Sequence, residues 1–311
     1  MKKILIMFAI MLSLIGCQKN EMENQTVETE GSKSVTVSTS ILEDMVFQLA
    51  GDIVDIEVII PAGEDPHSYL AKPKDLQKIE KADLVLYHGL DYEGQLISAL
   101  ESKGYAVTEN FPEEKLYALS EEDGHGHGNI DPHYWFDLDL YKLALEQVSE
   151  KLGELVPEKK DTFEENKKNY LNKLNEMDDN NRKLIAEIPQ DQRYLITPHE
   201  AFNYLSKYYN IPVMAPQGIG SDSEVASKDI QETVDFIVEH KIKAIFVEST
   251  TDPARMEKLK EDCKAKGHEV MVVSGKDREL FSDSLAPKGE EGDTFIEMYE
   301  HNIKLIVENL K

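Results

Sequence analysis

An unbroken helical pattern runs through the middle of the chain, over residues 157–188. Its apolar residues recur at steps of three, four or seven positions and form one stripe: Phe163, Tyr170, Leu174, Met177, Leu184 and Ile188. The stretch has no glycine, and its single proline, Pro157, stands in the first turn, where proline is tolerated. At about 1.5 Å per residue this helix would be about 48 Å long, enough to span a whole molecule. We therefore predict a stiff spacer between two lobes.

Short strands alternate with helices on both sides of this spacer. The pattern predicts strands at 35–38, 53–60 and 84–87 before it and at 194–196, 244–247 and 270–273 after it. Such alternation is typical of parallel sheets with crossover helices. The predicted fold is therefore α/β, with two Rossmann-like lobes joined by one long rigid helix. The N-terminal lobe would cover 35–156, the helix 157–188 and the C-terminal lobe 189–311.

The first 34 residues are predicted to lie outside this fold. Lys2 and Lys3 precede an apolar run, 4–15, which as a helix would span only about 18 Å of a hydrocarbon core about 30 Å thick. The run is typical of a signal peptide, and its end, Leu-Ile-Gly-Cys, resembles a bacterial lipobox, in which the cysteine is acylated. We predict a signal peptide over 1–16, then a lipidated Cys17 and a flexible tether over 17–34. An ordinary signal peptide with an incidental cysteine is the alternative.

Charge and cysteine content narrow the range of functions. The chain has 34 basic and 60 acidic residues and a formal net charge of −26, which disfavours a nucleic-acid partner because phosphates would be repelled. This charge suits a protein that attracts cations, although solubility alone also explains it. Only Cys17 and Cys263 occur. If Cys17 carries lipid, no disulfide is available, and we expect Cys263 to be a buried helix residue.

Three histidines each follow a proline at the end of a predicted element: His67, His133 and His199. Asp283 lies in a loop ten residues after the last predicted strand. Each lobe supplies two of these residues, so a site in the cleft at the carboxyl ends of the strands is predicted. Three imidazoles and one carboxylate are a suitable tetrahedral ligand set for zinc. Each histidine taken alone could instead be a cap or a buried structural residue.

A bound imidazole needs a hydrogen-bond partner for its second ring nitrogen. Nearby carboxylates that could serve, without any assignment from sequence, are Glu64, Asp65, Asp137 and Glu200.

Several stretches together resemble the metal-binding lipoproteins of the zinc and manganese ABC-uptake family, the cluster A-I solute-binding proteins. The matching stretches are 63–69, 73–76, 131–135, 199–204 and 297–302. The Asp-Pro-His-X-Trp pattern at 131–135 is the most specific of them. The resemblance implies two α/β lobes joined by a rigid helix. It also implies four metal ligands, which fall on His67, His133, His199 and Asp283.

The resemblance implies a function as well as a fold. Such proteins capture a metal ion outside the cytoplasm, anchored to the bacterial cell membrane by an N-terminal lipid, and deliver it to the permease of an ABC importer. Zinc members tend to have histidine at the third ligand position and manganese members glutamate. Because His199 stands there, Zn²⁺ is predicted, with Mn²⁺ as the alternative. Zinc members often carry a histidine- and acid-rich loop before the second ligand. His125 and His127 are therefore candidate capture residues, an accidental surface loop being the alternative.

Two other functions are compatible with parts of the sequence. A zinc-dependent hydrolase could use Glu200 as a general base, but the chain has no His-Glu-X-X-His motif, no nucleophile elbow and no phosphate-binding glycine loop. A surface adhesin is compatible with a lipid anchor but leaves the histidines unexplained. We therefore expect a monomeric binding protein that is not an enzyme.

Overall fold

The computed structural model describes residues 32–118, 130–220 and 225–311. The predicted signal peptide, Cys17 and most of the predicted tether lie outside the described residues, as do His125 and His127. Across the described ranges, no helix is both long enough and apolar enough to cross a membrane.

A four-stranded parallel sheet organises the N-terminal lobe. Its strands are β1 (Lys33–Val37), β2 (Val54–Val58), β3 (Leu84–Tyr87) and β4 (Tyr105–Ala106). Their order is β2-β1-β3-β4, so β1 is central and β2 lies at an edge. Val35 and Val37 of β1 are fully buried, whereas β2 alternates apolar residues with exposed Asp55 and Glu57. This alternation is expected of an edge strand that is covered on one face.

Five helices follow along the chain: α1 (Ser40–Ala50), α2 (Pro73–Lys81), α3 (Ile97–Glu101), α4 (Leu138–Leu155) and α5 (Lys160–Ile185). The start of α4 shows why such helices begin where they do. Asp137 precedes the helix, and its carboxylate accepts hydrogen bonds from the backbone N–H groups of Asp139 (2.8 Å) and Leu140 (3.2 Å). A side-chain acceptor of this kind satisfies donors that the first helical turn leaves unpaired.

The C-terminal lobe contains two pairs of parallel strands. They are β5 (Leu195–Ile196) with β6 (Val213–Met214) and β7 (Ala244–Phe246) with β8 (Met271–Val273). Its helices are α6 (Asn203–Tyr209), α7 (Ser227–Glu239), α8 (Ala254–Ala265) and α9 (Phe295–Leu310). Beyond the strand ends, His199 pairs with Gln217 and Glu248 pairs with Leu280 in isolated parallel bridges. The chain therefore stays extended past β5 and β7, toward the cleft.

The long helix α5 runs across the molecule and contacts α1, α4 and α9. A 3₁₀ turn, Pro157–Lys159, leads into it, and its buried stripe includes Phe163, Tyr170, Leu174 and Met177, as the periodicity predicted. The helix ends at Ile185, three residues before the predicted end. Pro189 favours this earlier end, because it has no backbone N–H to bond to the Ile185 carbonyl and disfavours the α conformation at Ile188. Ile188 is still buried after the helix has ended.

One continuous apolar core joins both lobes to the long helix. It contains residues of β1, α4, α5, β7 and α9, and within it Tyr141 of α4 stacks on Phe295 of α9, with ring centroids 3.7 Å apart. A smaller core lies between α7, α8 and β7 and includes Cys263, which is buried as expected. The predicted α/β class, with parallel sheets around a long helix, is confirmed. The predicted lobe boundaries stay predictions.

The long helix supplies a test of this packing. Leu174 is fully buried on α5, so Leu174→Ala is expected to lower the free energy of unfolding by about 2–5 kcal/mol through lost burial and a new cavity. Glu176→Ala, on the exposed face of the same helix, is the control and should change it by less than about 0.5 kcal/mol. Urea unfolding measures both. Equal effects of the two substitutions would show that the apolar stripe of α5 does not pack in the core.

Candidate metal centre

Four side chains from distant parts of the chain meet in the cleft: His67, His133, His199 and Asp283. Each offers one ligand atom, and these atoms all lie within 4.8 Å of one another. His133 Nε2 is 3.0 Å from Asp283 Oδ1 and 3.3 Å from His67 Nε2. All four side chains are buried. The structure thus brings together the four residues that the sequence singled out, and their role as metal ligands stays a prediction.

All four lie outside the regular strands and α-helices, in the segments that connect them. His67 lies in the loop between β2 and α2, and His133 directly precedes a 3₁₀ turn, Tyr134–Phe136. His199 follows β5, and Asp283 lies in the loop between β8 and α9. Because the strands of each lobe are parallel, their carboxyl ends meet on the same side. The loops after them can therefore converge in the cleft.

Two buried carboxylates orient two of the imidazoles. Asp131 Oδ1 lies 2.8 Å from His133 Nδ1, and Glu248 Oε2 lies 2.5 Å from His199 Nδ1. With Nδ1 engaged in this way, Nε2 of each ring faces the centre, 3.0 Å and 3.5 Å from the oxygens of Asp283. A carboxylate behind the imidazole fixes its orientation and strengthens it as a metal ligand.

Neither of these carboxylates was among the candidates from sequence. Asp137 instead caps α4, and Asp65 accepts hydrogen bonds from the His67 backbone N–H (3.0 Å) and Ser68 Oγ (2.7 Å). A usable signal was present for both residues that were missed. Asp131 stands two positions before His133. Glu248 comes shortly after a buried apolar strand, and so does His199.

Asp283 is held by hydrogen bonds to both its carboxylate and its backbone. Thr250 Oγ1 (3.1 Å) and Ser282 Oγ (2.7 Å) lie within hydrogen-bonding distance of Asp283 Oδ2. Tyr92 donates its hydroxyl to the Asp283 carbonyl at 2.7 Å, and Trp135 Nε1 donates to the Ser282 carbonyl at 3.0 Å. Because Tyr92 and Trp135 belong to the N-terminal lobe, each lobe contributes to holding this loop.

Charges in the centre are strongly coupled. Burial disfavours the ionised carboxylate of Asp283, but the charge of His199 and the hydrogen bonds from all three imidazoles outweigh it and hold the pKa of Asp283 well below its usual range. Burial likewise disfavours a charged His199, yet Glu248 and Asp283 raise the pKa of His199 well above its usual value.

The remaining two imidazoles respond in opposite directions. Burial opposes the charge on His133, but Asp131 and Asp283 together raise its pKa. For His67, burial outweighs the attraction of Asp283 and lowers its pKa. The centre therefore combines an anionic carboxylate with two imidazoles, His133 and His199, whose protonated forms are favoured, so its acids stabilise positive charge.

The donor set fits a divalent cation. Three imidazole nitrogens and one carboxylate oxygen face a common point, and the pairing of soft nitrogen with a single oxygen is typical of tetrahedral zinc sites. Within residues 32–118, 130–220 and 225–311 no other group of histidine, cysteine and acidic side chains is close enough to share an ion.

The chain is similar to known proteins over most of its length. Residues 35–309 match the family model described as "Zinc-uptake complex component A periplasmic". The manganese-binding lipoprotein MntA of Bacillus subtilis (strain 168) is 35% identical over 282 residues, which cover 89% of each chain. The metal ABC transporter substrate-binding lipoprotein ScbA of Streptococcus cristatus is 30% identical over 322 residues, covering 100% of this chain and 99% of its own length.

Solved structures show the same fold. A structure of TroA, from a study of its metal-binding specificity, superposes with a TM-score of 0.87 at 52% identity and covers 90% of this chain and 100% of its own. The periplasmic zinc-binding protein TroA from Treponema pallidum gives a TM-score of 0.84 at 32% identity, with 90% and 99% coverage.

Beside the centre lies a further buried acid, Glu93. Its carboxylate accepts hydrogen bonds from Ser38 Oγ (2.8 Å) and from the backbone N–H groups of His88 (2.5 Å) and Gly89 (3.3 Å). Burial raises the pKa of Glu93 to about 7 in spite of these bonds. It ties together the carboxyl ends of β1 and β3, where His88 also bonds to Tyr134, the residue after His133.

The shifted pKa of Glu93 predicts a pH dependence of stability. Between the usual value of 4.5 and about 7, the folded protein holds a proton that the unfolded chain has released. Raising the pH across this window therefore lowers the free energy of unfolding of the metal-free protein, by up to about 3 kcal/mol. Glu93→Gln lacks this group and should not show this loss. Its free energy of unfolding should therefore rise relative to that of the wild type as the pH rises from 4.5 to 7. Urea unfolding at several pH values measures the difference, and parallel pH curves for the two proteins would contradict the prediction.

Proposed function

Because the chain belongs to the periplasmic zinc-uptake component A family, as its motifs predicted, we propose that it captures zinc outside the cytoplasm and delivers it to a membrane importer. The proposal has three parts: the residues that hold the ion, the choice of metal, and the transporter that receives it.

The ligand group carries the first part. We propose that Nε2 of His67, His133 and His199 and a carboxylate oxygen of Asp283 bind the ion. Support comes from their mutual distances, all within 4.8 Å, and from the buried acids behind His133 and His199. Bringing an ion into a fully buried site removes its water shell, so a preformed set of donors is needed to replace that shell.

The choice of zinc follows from the third histidine. Imidazole is a softer donor than carboxylate, and the general order of affinities also places zinc above manganese. The family description names zinc, as does the printed name of TroA from Treponema pallidum, whereas MntA is named for manganese. A manganese-specific member with the same fold is therefore the alternative.

Delivery to an ABC importer and attachment to the membrane complete the proposal. The printed names of MntA and ScbA include the word lipoprotein, and that of ScbA describes the substrate-binding part of a metal ABC transporter. By analogy we propose a lipid anchor on Cys17 and a permease as partner. His125 and His127 remain proposed capture residues, and the chain is proposed to act as a monomer.

A hydrolytic role is not supported by the centre. Catalytic zinc usually keeps three protein ligands and one open position for water. Here a fourth donor, Asp283 Oδ1, lies 3.0 Å from His133 Nε2 and 3.5 Å from His67 Nε2 and would occupy that position. We therefore propose transport of the ion rather than catalysis by it.

Competition between the two metals tests the proposal directly. The metal-free protein is titrated with Zn²⁺ and Mn²⁺ in the presence of a chelator, and binding is followed through the single tryptophan, Trp135, whose ring lies 5.3 Å from that of His133. We expect tighter binding of zinc.

His199→Ala removes a proposed ligand, so it should lose more zinc affinity than the roughly 10–100-fold typical of substituting residues that only support a ligand. His240→Gln, at the end of α7, is the control and should bind normally. Tighter binding of manganese would favour the alternative, and unchanged binding by His199→Ala would refute the ligand set.

Proton competition gives an independent prediction. The nearby carboxylates raise the pKa of His133 and His199, so these imidazoles carry protons that must leave before Nε2 can bind an ion. Stability from the protonated imidazoles is present at low pH and is lost as the pH rises through their raised pKa values, whereas stability from bound zinc grows. At free zinc about 1,000-fold above the dissociation constant, zinc should add about 4 kcal/mol at high pH. Thermal unfolding with and without zinc at pH 5 and pH 7.5 measures this, and equal zinc effects at both pH values would contradict histidine ligation.

A further inference from the structure

Each acceptor atom of Asp131 has a hydrogen-bond partner. Its Oδ1 accepts from the His133 backbone N–H (2.9 Å) and lies 2.8 Å from His133 Nδ1. Its Oδ2 accepts from Asn203 Nδ2 at 3.1 Å, and its backbone carbonyl accepts from the Tyr204 hydroxyl at 3.0 Å. Because the side chain is fully buried, losing a hydrogen-bond partner is costly for its carboxylate.

The Asn203 amide can be oriented in only one way. Nδ2 lies 3.1 Å from Asp131 Oδ2 and 3.2 Å from the Glu200 carbonyl oxygen, and both of these atoms are acceptors. An amide oxygen in that position would face two acceptors, so the NH₂ group must stand there and use its two hydrogens.

Asn203 joins two parts of the centre that come from different lobes. It is the first residue of α6 and stands four residues after His199, on the same C-terminal segment. Asp131 lies 72 residues earlier and orients His133 from the N-terminal lobe. The Asn203 amide thus connects the segment that carries His199 with the carboxylate that orients His133.

We infer that Asn203 is a positioning residue that aims His133 at the ion by holding the Asp131 carboxylate from the opposite lobe. This inference rests on the proposed function, because it assigns a partner to a proposed ligand. Its physical basis is the shared carboxylate. With Oδ2 fixed by Asn203, Oδ1 stays in line with His133 Nδ1, and Nε2 is held toward the centre. Without Asn203, Oδ2 is buried and unpaired, and rotation of the carboxylate to find a partner moves the imidazole.

Tyr204 supplies a matched control. Its hydroxyl donates to the backbone carbonyl of Asp131 and accepts from the Tyr117 N–H at 3.0 Å, so it also joins the two lobes. Within the described residues, its hydroxyl bonds to the backbone carbonyl of Asp131 and not to the carboxylate. Tyr204→Phe therefore weakens contact between the lobes and leaves the orientation of His133 intact.

The test compares three variants of the full chain with the wild type. Asn203→Leu removes both donors at nearly constant shape, Asn203→Ala removes them with less bulk, and Tyr204→Phe is the control. Zinc affinity is measured by competition with a chelator, and thermal unfolding of the metal-free protein reports any general loss of stability. The geometry of the site is read from the visible absorption of bound Co²⁺, which is intense in four-coordinate sites and weak in six-coordinate ones.

We expect both Asn203 variants to bind zinc about 10-fold more weakly, at the lower end of the range for residues that support a ligand. Their Co²⁺ absorption should also weaken, because His133 no longer points steadily at the ion. Tyr204→Phe should keep the zinc affinity and the Co²⁺ spectrum of the wild type, whatever its unfolding temperature. If Asn203→Leu does not fold, Asn203→Ala carries the comparison.

Two results would overturn the inference. Wild-type affinity and spectrum in the Asn203 variants would show that Asp131 holds His133 unaided. An equal loss in Tyr204→Phe would show that contact between the lobes, and not the carboxylate, is what matters. Failure of the wild type itself to bind zinc or cobalt is a different result, because it would remove the proposed function on which the inference rests.

Discussion

The structure is organised around one buried carboxylate, Asp283, held against three buried imidazoles. Removing a carboxylate from water is costly unless opposite charge and hydrogen bonds replace the lost solvation. Here Thr250, Ser282 and the imidazoles surround its oxygens, while Tyr92 fixes its backbone. These groups come from both lobes. Satisfying this one carboxylate therefore requires the lobes to dock in a single arrangement, and that arrangement also assembles the ligand group.

The long helix makes such docking reproducible. Because α5 contacts α1, α4 and α9, and one apolar core continues from β1 through the helix to β7, the two lobes share their packing. Close-packed interiors resist small displacements, so the shared core holds the two lobes in a fixed position relative to each other. The hydrogen bonds from Trp135 to the Asp283 loop and from Asn203 to Asp131 then align the centre at close range.

Two buried acids in this region behave in opposite ways, and the comparison explains the chemistry of the centre. Burial disfavours ionisation of both Glu93 and Asp283. Glu93 meets only hydroxyl and backbone donors, so its pKa rises to about 7. Asp283 faces imidazoles that can carry positive charge, so its pKa falls well below its usual range. Positive charge, rather than hydrogen bonding alone, is what this cleft stabilises, and a divalent cation would supply it more fully than protons.

The sequence by itself determined the class of fold, the long helix and the four residues that meet in the cleft. These follow from local signals: helical periodicity through Leu174, alternating strands, and proline-histidine pairs such as Pro66-His67 at element ends. Only the tertiary structure decided which groups support those four residues. Glu248 and Asn203 act on residues that other segments bring to them, since Glu248 is 49 positions from His199 and Asn203 is 72 positions from Asp131. Hydrogen bonds depend on distances of tenths of an ångström between such segments, and no local pattern encodes those distances.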